Sequence, residues 1–215
     1  MESDFTYWRH TLPCGVKVEE VFGTASGSQR VWRAMAMQIY CENGRDGFRE
    51  VDHLPCGAPL LADSAARISI THTDGMLAVA SLPPTPEADL SIFSTRAALG
   101  IDAERADREQ VLRLRERFLS EDELKLAGES DVAANITAWT AKEALYKAAL
   151  TPGLDFREAI RITRLPGVPD APEGEGEIKF PDGTAAPMQL YSYESEGCII
   201  TVAYSPKCSK FHTKA

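Results

Sequence analysis

The sequence predicts an α+β fold made of two similar halves related by a pseudo-two-fold, with the functional site in the cleft between them. Three observations carry this. Segments with helical spacing of apolar residues alternate with β runs bounded by Gly, Pro and Asp turns, on both sides of residue 100. Gly75 followed by MLAVAS is echoed by Gly197 followed by CIITVAYS, a turn glycine leading into a strand each time. Two unrelated β runs of similar composition would give the same echo. At 215 residues, 44% hydrophobic and 26% charged, the chain is long enough for one substantial core or two small domains in contact. Halves at 1–98 and 99–215, each a sheet with helices packed on it, would put the cleft near residue 100.

Taken in order, SGSQRVWRAMAMQIYC (26–41) has the period of an amphipathic helix, with Ser26 or Ser28 as its cap. ARISITHTDGMLAVAS (66–81) gives two β runs, Ile68 to Ile70 and Met76 to Ala80, around a Thr/Asp/Gly turn. The Pro-rich stretch 81–98 lacks a period and is expected to be an insertion in the first half. ALGID is a short strand ending in acids. Residues 107–128 suit two helices better than one, the second capped at Ser120 with Glu123 three residues on. ITAWTAKEALYKAAL (136–150) is a strong helix stopped by Pro152 and Gly153. The β runs EIKF, PMQLYSY and CIITVAYS then form a small antiparallel sheet.

The bulk chemistry narrows the function. With a net charge of −9 the molecule repels polyphosphates as a whole and lacks the footprint of a nucleic-acid binder. A phosphate ligand must then be held locally, by cations, metal or backbone amides in one pocket. The polar start MESDFTYWRH and the absence of any run of about 18 apolar residues predict a cytoplasmic protein. Cys14, Cys41, Cys56, Cys198 and Cys208 are scattered and form no C-x-x-C pair, so neither a disulfide framework nor a thiolate zinc site is expected.

Two short constellations carry the chemistry. In GIDAER, Asp102 and Glu104 are alternate residues of a strand, on one face and about 6–7 Å apart, a spacing that lets two carboxylates converge on a hard cation such as Mg²⁺. Two solvated acids at a strand end would look the same. In WTAKEALYK, Trp139, Glu143 and Lys147 share a helical stripe, with Lys142 beside it. Glu143 and Lys147 could be an exposed pair worth about 0.3–0.5 kcal/mol. They are also what a magnesium-bound pyrophosphate needs, a carboxylate for the metal and an ammonium for phosphate oxygens.

Together, ISITHT (68–73), GIDAE (100–104), FLSEDE (118–123) and WTAKEALYK (139–147) resemble, in order and spacing, the 4'-phosphopantetheinyl transferase superfamily, of the surfactin-synthetase-associated type. The resemblance covers roughly 57–150. It implies a monomeric enzyme, with coenzyme A as co-substrate, that moves the 4'-phosphopantetheine arm onto a serine of an acyl, peptidyl or aryl carrier protein and releases adenosine 3',5'-bisphosphate. Carried over, Asp102, Glu104 and Glu143 resemble the Mg²⁺ ligands, and Lys147 the lysine on the pyrophosphate, with Lys142, its motif neighbour, as a second lysine on the coenzyme. His72, helped by Thr71, resembles the grip on the 3'-phosphate, and the first half becomes the coenzyme grip. Either Glu143 or Glu104 would serve as base. Thr71-His72-Thr73 replaces the family's Ser-His-Ser, and Gly57-Ala58-Pro59 replaces a glycine-lysine-proline segment. Arg30 and Arg33 are candidates for the first-half arginines. Arg105, Arg108, Arg113, Arg115 and Arg117, interleaved with Val111, Leu112 and Leu114, are expected to meet the carrier. The alternatives are a non-catalytic coenzyme A or carrier-binding protein of the same fold, and a metal-dependent phosphohydrolase.

Overall fold

A computed structural model describes residues 6–13, 15–23, 51–61, 67–82 and 99–205. The helix expected at 26–41, with Arg30 and Arg33, lies outside the described residues, as does the insertion expected at 81–98 except for Ser81 and Leu82, which instead complete a strand. Three sheets are present among them. Strands β1 (Thr6–Thr11), β2 (Lys17–Phe22), β5 (Arg67–Thr73) and β6 (Met76–Leu82) form one antiparallel sheet in the order β1-β2-β6-β5. Strands β3 (Val51–His53) and β4 (Pro59–Leu61) pair with each other. The third sheet runs β7-β11-β10-β9-β8, from β7 (Leu99–Arg105), β8 (Ile160–Arg164), β9 (Glu173–Lys179), β10 (Ala185–Ser195) and β11 (Cys198–Tyr204). The helices are α1 (Gln110–Leu114), extended by a 3₁₀ turn over Arg115–Arg117, α2 (Glu121–Ala127) and α3 (Val132–Ala149). This is a mixed α+β architecture.

The period of two in β7 and β11 decides what each face of the third sheet meets. Leu99, Ile101, Ala103, Cys198, Ile200 and Val202 turn one way and share a core with Val16, Val18, Met76, Ala78 and Ala80 of the first sheet. Their neighbours turn the other way: Ile199 and Ala203 pack under α3 with Ala141, Ala144, Leu145 and Ala148. The five-stranded sheet is therefore the middle layer, between the first sheet and α3. Asp102 and Glu104 belong to the α3 face. At the far side of the inter-sheet core, the Tyr193 hydroxyl donates to Glu20 Oε1 at 2.5 Å and His10 Nε2 stands 3.2 Å from the same oxygen. Burial, helped by the Glu20 charge, pushes the Tyr193 phenol well above its ordinary range.

Several elements depart from the sequence expectation. Two helices do fill 107–128, and Glu123 Oε2 accepts the Ser120 N–H at 2.8 Å as the capping pattern requires. The long helix, however, begins at Val132, because Asp131 accepts the Ala134 N–H at 2.9 Å and caps it one turn early. It ends at Leu150 in the left-handed region, φ 51. Thr71, His72 and Thr73 continue β5 rather than turning, and the turn is confined to Asp74 and Gly75, which has φ 71. Strands β1, β2 and β8 carry no motif and were not anticipated.

Gly100 is where the helix lies closest to the sheet. A Cβ there would stand 1.9 Å from the Ala144 carbonyl oxygen and 2.8 Å from the Ala148 nitrogen, both backbone atoms that cannot swing aside. Gly100→Ala must push α3 off β7 and is expected to cost at least about 2 kcal/mol, read as a lowered midpoint in urea denaturation.

Candidate active site

The acids of the two constellations and Lys147 meet where β5, β7 and α3 come together. Lys147 Nζ donates to Asp102 Oδ1 at 2.7 Å, to the Ile101 carbonyl at 2.9 Å and to the Ile70 carbonyl at 3.5 Å. From β5, Thr71 Oγ1 donates to Asp102 Oδ1 at 2.9 Å and Thr73 Oγ1 to Glu104 Oε1 at 2.8 Å. Ser69 continues the series one step back, accepting the Ile101 N–H at 3.1 Å. Two strands of period two run side by side, so T-x-T meets D-x-E rung by rung. That match of two alternating patterns is the signal in the sequence for the contact of Thr73 with Glu104, a role that the Thr-His-Thr motif alone does not assign.

Glu104 has further partners. Its Oε1 accepts the N–H of Arg105 at 2.9 Å, and its Oε2 is paired with the Arg108 guanidinium. Glu143, one helical turn before Lys147, receives no hydrogen bond from a described residue. Burial pushes its carboxyl up to about 7, the Asp102 charge adding to the effect and Lys147 opposing it. Asp102 and Glu143 thus feel each other across the site.

Lys142 is elsewhere. The sequence expectation put it on the coenzyme, but its side chain is fully buried on the opposite flank of α3, pairing with Glu123 Oε1 at 2.7 Å and donating to the carbonyls of Phe156, at 2.6 Å, and Ile160. Glu123 Oε1 also takes the Ile162 N–H at 2.7 Å. The physical reason is angular: adjacent helical residues diverge by about 100°, so Lys142 and Glu143 cannot serve one site. Burial draws the Lys142 ammonium down to about 8 against the pull of Glu123. The pair ties α2 and β8 to α3.

Beside the acids opens a pocket of about 350 Å³. Asp102, Lys147, Thr71 and His72 line it on one side, and His53, Cys56 and the Gly57–Pro59 segment on another. His72 is exposed, whereas Thr71 is buried with its hydroxyl committed to Asp102, so the two do not act together on one ligand in this arrangement. Nothing in the sequence reading had picked out His53 or Cys56.

Residues 98–198 hold the acids, Lys142 and Lys147, along with the helix that presents them. The family model of the 4'-phosphopantetheinyl transferase superfamily matches residues 98–198. That match supports a transferase of the superfamily, with phosphopantetheine transfer as the general chemistry. No curated protein matches the chain. Thr71, His72 and the pocket wall from 53 to 59 lie before the matched segment. No helix among the described residues is long and apolar enough to cross a membrane.

Among the described residues no three His, Cys, Asp or Glu side chains converge on a point that could hold a metal ion. The donor chemistry is nonetheless that of a hard cation: three carboxylates, with the charge of one felt by another and a positive group on each of Asp102 and Glu104. Lys147 and Arg108 draw those two acids to themselves.

The Glu143 carboxyl makes stability depend on pH. Its folded value lies above the ordinary 4.5, so between about pH 4.5 and 7 the folded chain keeps a proton that the unfolded chain has lost, and stability falls as pH rises through that window. In chelator, Glu143→Gln should melt higher than the parent at pH 8 and close to it at pH 5, by thermal unfolding.

Proposed function

We propose that the chain transfers the 4'-phosphopantetheine arm of coenzyme A to a serine of an acyl, peptidyl or aryl carrier protein and releases adenosine 3',5'-bisphosphate. The observation that carries the reading is that Asp102 and Lys147, paired with each other, line the pocket, with the Glu143 carboxyl near enough to feel both charges and Glu104 two residues along the same strand, all within the matched segment. Asp102, Glu104 and Glu143 would hold Mg²⁺, which when bound offsets the charge of the coenzyme diphosphate. Residues 1–98 would supply the coenzyme grip and 99–215 the acids, as two halves related by a pseudo-two-fold around a cleft, in a cytoplasmic monomer of the surfactin-synthetase-associated type. His72 would meet the 3'-phosphate.

In the reaction the serine oxygen forms a bond to the β-phosphorus as the bond from that phosphorus to the bridging oxygen breaks. The bridging oxygen leaves with the α-phosphate of adenosine 3',5'-bisphosphate, and the serine proton passes to a carboxylate. Glu143 suits that task better than Glu104: no described residue donates to it and its affinity for a proton is tuned close to neutral pH. Both oxygens of Glu104 are engaged. Lys147, beside Asp102 and lining the pocket, would neutralise a phosphate oxygen.

The carrier would approach over α1 and its 3₁₀ extension. Arg113 and Arg117 are exposed there, whereas Arg115 donates to the Gly128 carbonyl and Leu112 and Leu114 pack on the molecule's own helical core. Docking would then rest on the arginines and on charge. Reversing both charges, Arg113→Glu with Arg117→Glu, should raise the KM for an acidic carrier by about tenfold while leaving that for coenzyme A unchanged.

Incubating the chain with a panel of apo-carriers, coenzyme A and Mg²⁺ and reading intact mass tests the main reading. One carrier should gain one phosphopantetheine, and Glu143→Gln should slow the gain by roughly a hundredfold or more. Coenzyme binding with no gain on any carrier would favour the non-catalytic alternative.

A further inference from the structure

Glu104 is saturated by the protein's own donors, and those donors are not equally easy to remove. On Oε1 are Thr73 Oγ1, fixed in β5, and the backbone N–H of Arg105. On Oε2 is Arg108, four residues on and just past the turn that ends β7, with its side chain 53% exposed. Its guanidinium would be rehydrated as soon as it let go. Lys147, the other cation of the cluster, is 30% exposed and held by Asp102 and two backbone carbonyls from two strands. Of the two positive groups, one is anchored and one is held, among the described residues, by a single carboxylate oxygen.

A divalent cation that uses Glu104 needs Oε2, because Oε1 already has two donors that belong to the strands. We propose that Arg108 is a resident counter-cation of Glu104 which a divalent metal ion must displace, and that it thereby sets the metal affinity of the site. The inference rests on the transferase reading, in which Glu104 is a metal ligand. Charge favours the exchange. With Glu143 ionised, three carboxylates face two single positive charges, and replacing the arginine by a doubly charged ion brings the cluster to neutrality. Arg108 also screens Glu104 from Asp102 and Glu143 until the metal arrives, so the acids are held in place without mutual repulsion.

Mn²⁺ titrated into the full chain with coenzyme A present, followed by calorimetry and by loss of the free-ion paramagnetic resonance signal, tests this. Arg108→Gln, which removes the competitor, should bind Mn²⁺ roughly three- to tenfold more tightly than the parent. Equal or weaker binding overturns the proposal. Independently of any variant, the Arg108 Nε–H resonance of the ¹⁵N-arginine-labelled parent should shift as Mg²⁺ saturates the site, and a resonance that stays in place overturns it too. A parent chain that takes up no Mn²⁺ even with coenzyme A overturns the metal reading and this proposal together. A parent that binds, with Arg108→Gln matching it, overturns this proposal alone.

Discussion

The ammonium of Lys147 is the point on which the site depends. It reaches carbonyls of Ile70 in β5 and Ile101 in β7 as well as the Asp102 carboxylate, so a single side chain from α3 joins two sheets and the helix. Charge-assisted hydrogen bonds of this kind are stronger than neutral ones, and partial burial increases their worth. The position of Asp102, and through it the hydroxyl of Thr71, follows from that contact. So does the distance of closest approach between Glu143 and the strand acids, because Glu143 sits one turn up the same helix.

The two lysines of WTAKEALYK, five residues apart, have opposite duties. Lys147 looks into the pocket, partly wet and able to meet a ligand. Lys142 is sealed away and faces Glu123, whose carboxylate caps Ser120 and receives the Ile162 N–H. A buried ion pair of this sort is costly to assemble and worse to break, since either partner alone would be left as an unpaired charge. Its contribution to the site is indirect: it sets the rotation of α3 about its axis, and the rotation aims Glu143 and Lys147.

How much of this could be read from the letters follows from which signals are local. The helices of the second half announce themselves through period and caps, and the acids through their i, i+2 spacing. The layer order was not legible, because β1, β2 and β8 have neither a motif nor a turn signature strong enough to mark them, and sheet order depends on contacts across the whole chain. Lys142 was misassigned for a similar reason. Motif adjacency suggests shared purpose, while helical geometry sends neighbours in different directions. The hold of Thr73 on Glu104 is not legible in the motif that contains it, since it emerges only when two strands are laid beside each other. The pocket wall at His53 and Cys56 had no pattern at all.

The middle-layer position of the five-stranded sheet bears on modularity. Its strand β7 carries the acids on one face and Leu99, Ile101 and Ala103 on the other, and those three rest on Met76, Ala78, Val16 and Val18. The stretch that bears the family signature is therefore not a detachable unit. Severed from the first 82 residues, it would expose an oily sheet surface to water and lose the threonines that steady its carboxylates, so any gene fusion or truncation that preserves the chemistry has to carry the amino-terminal strands along.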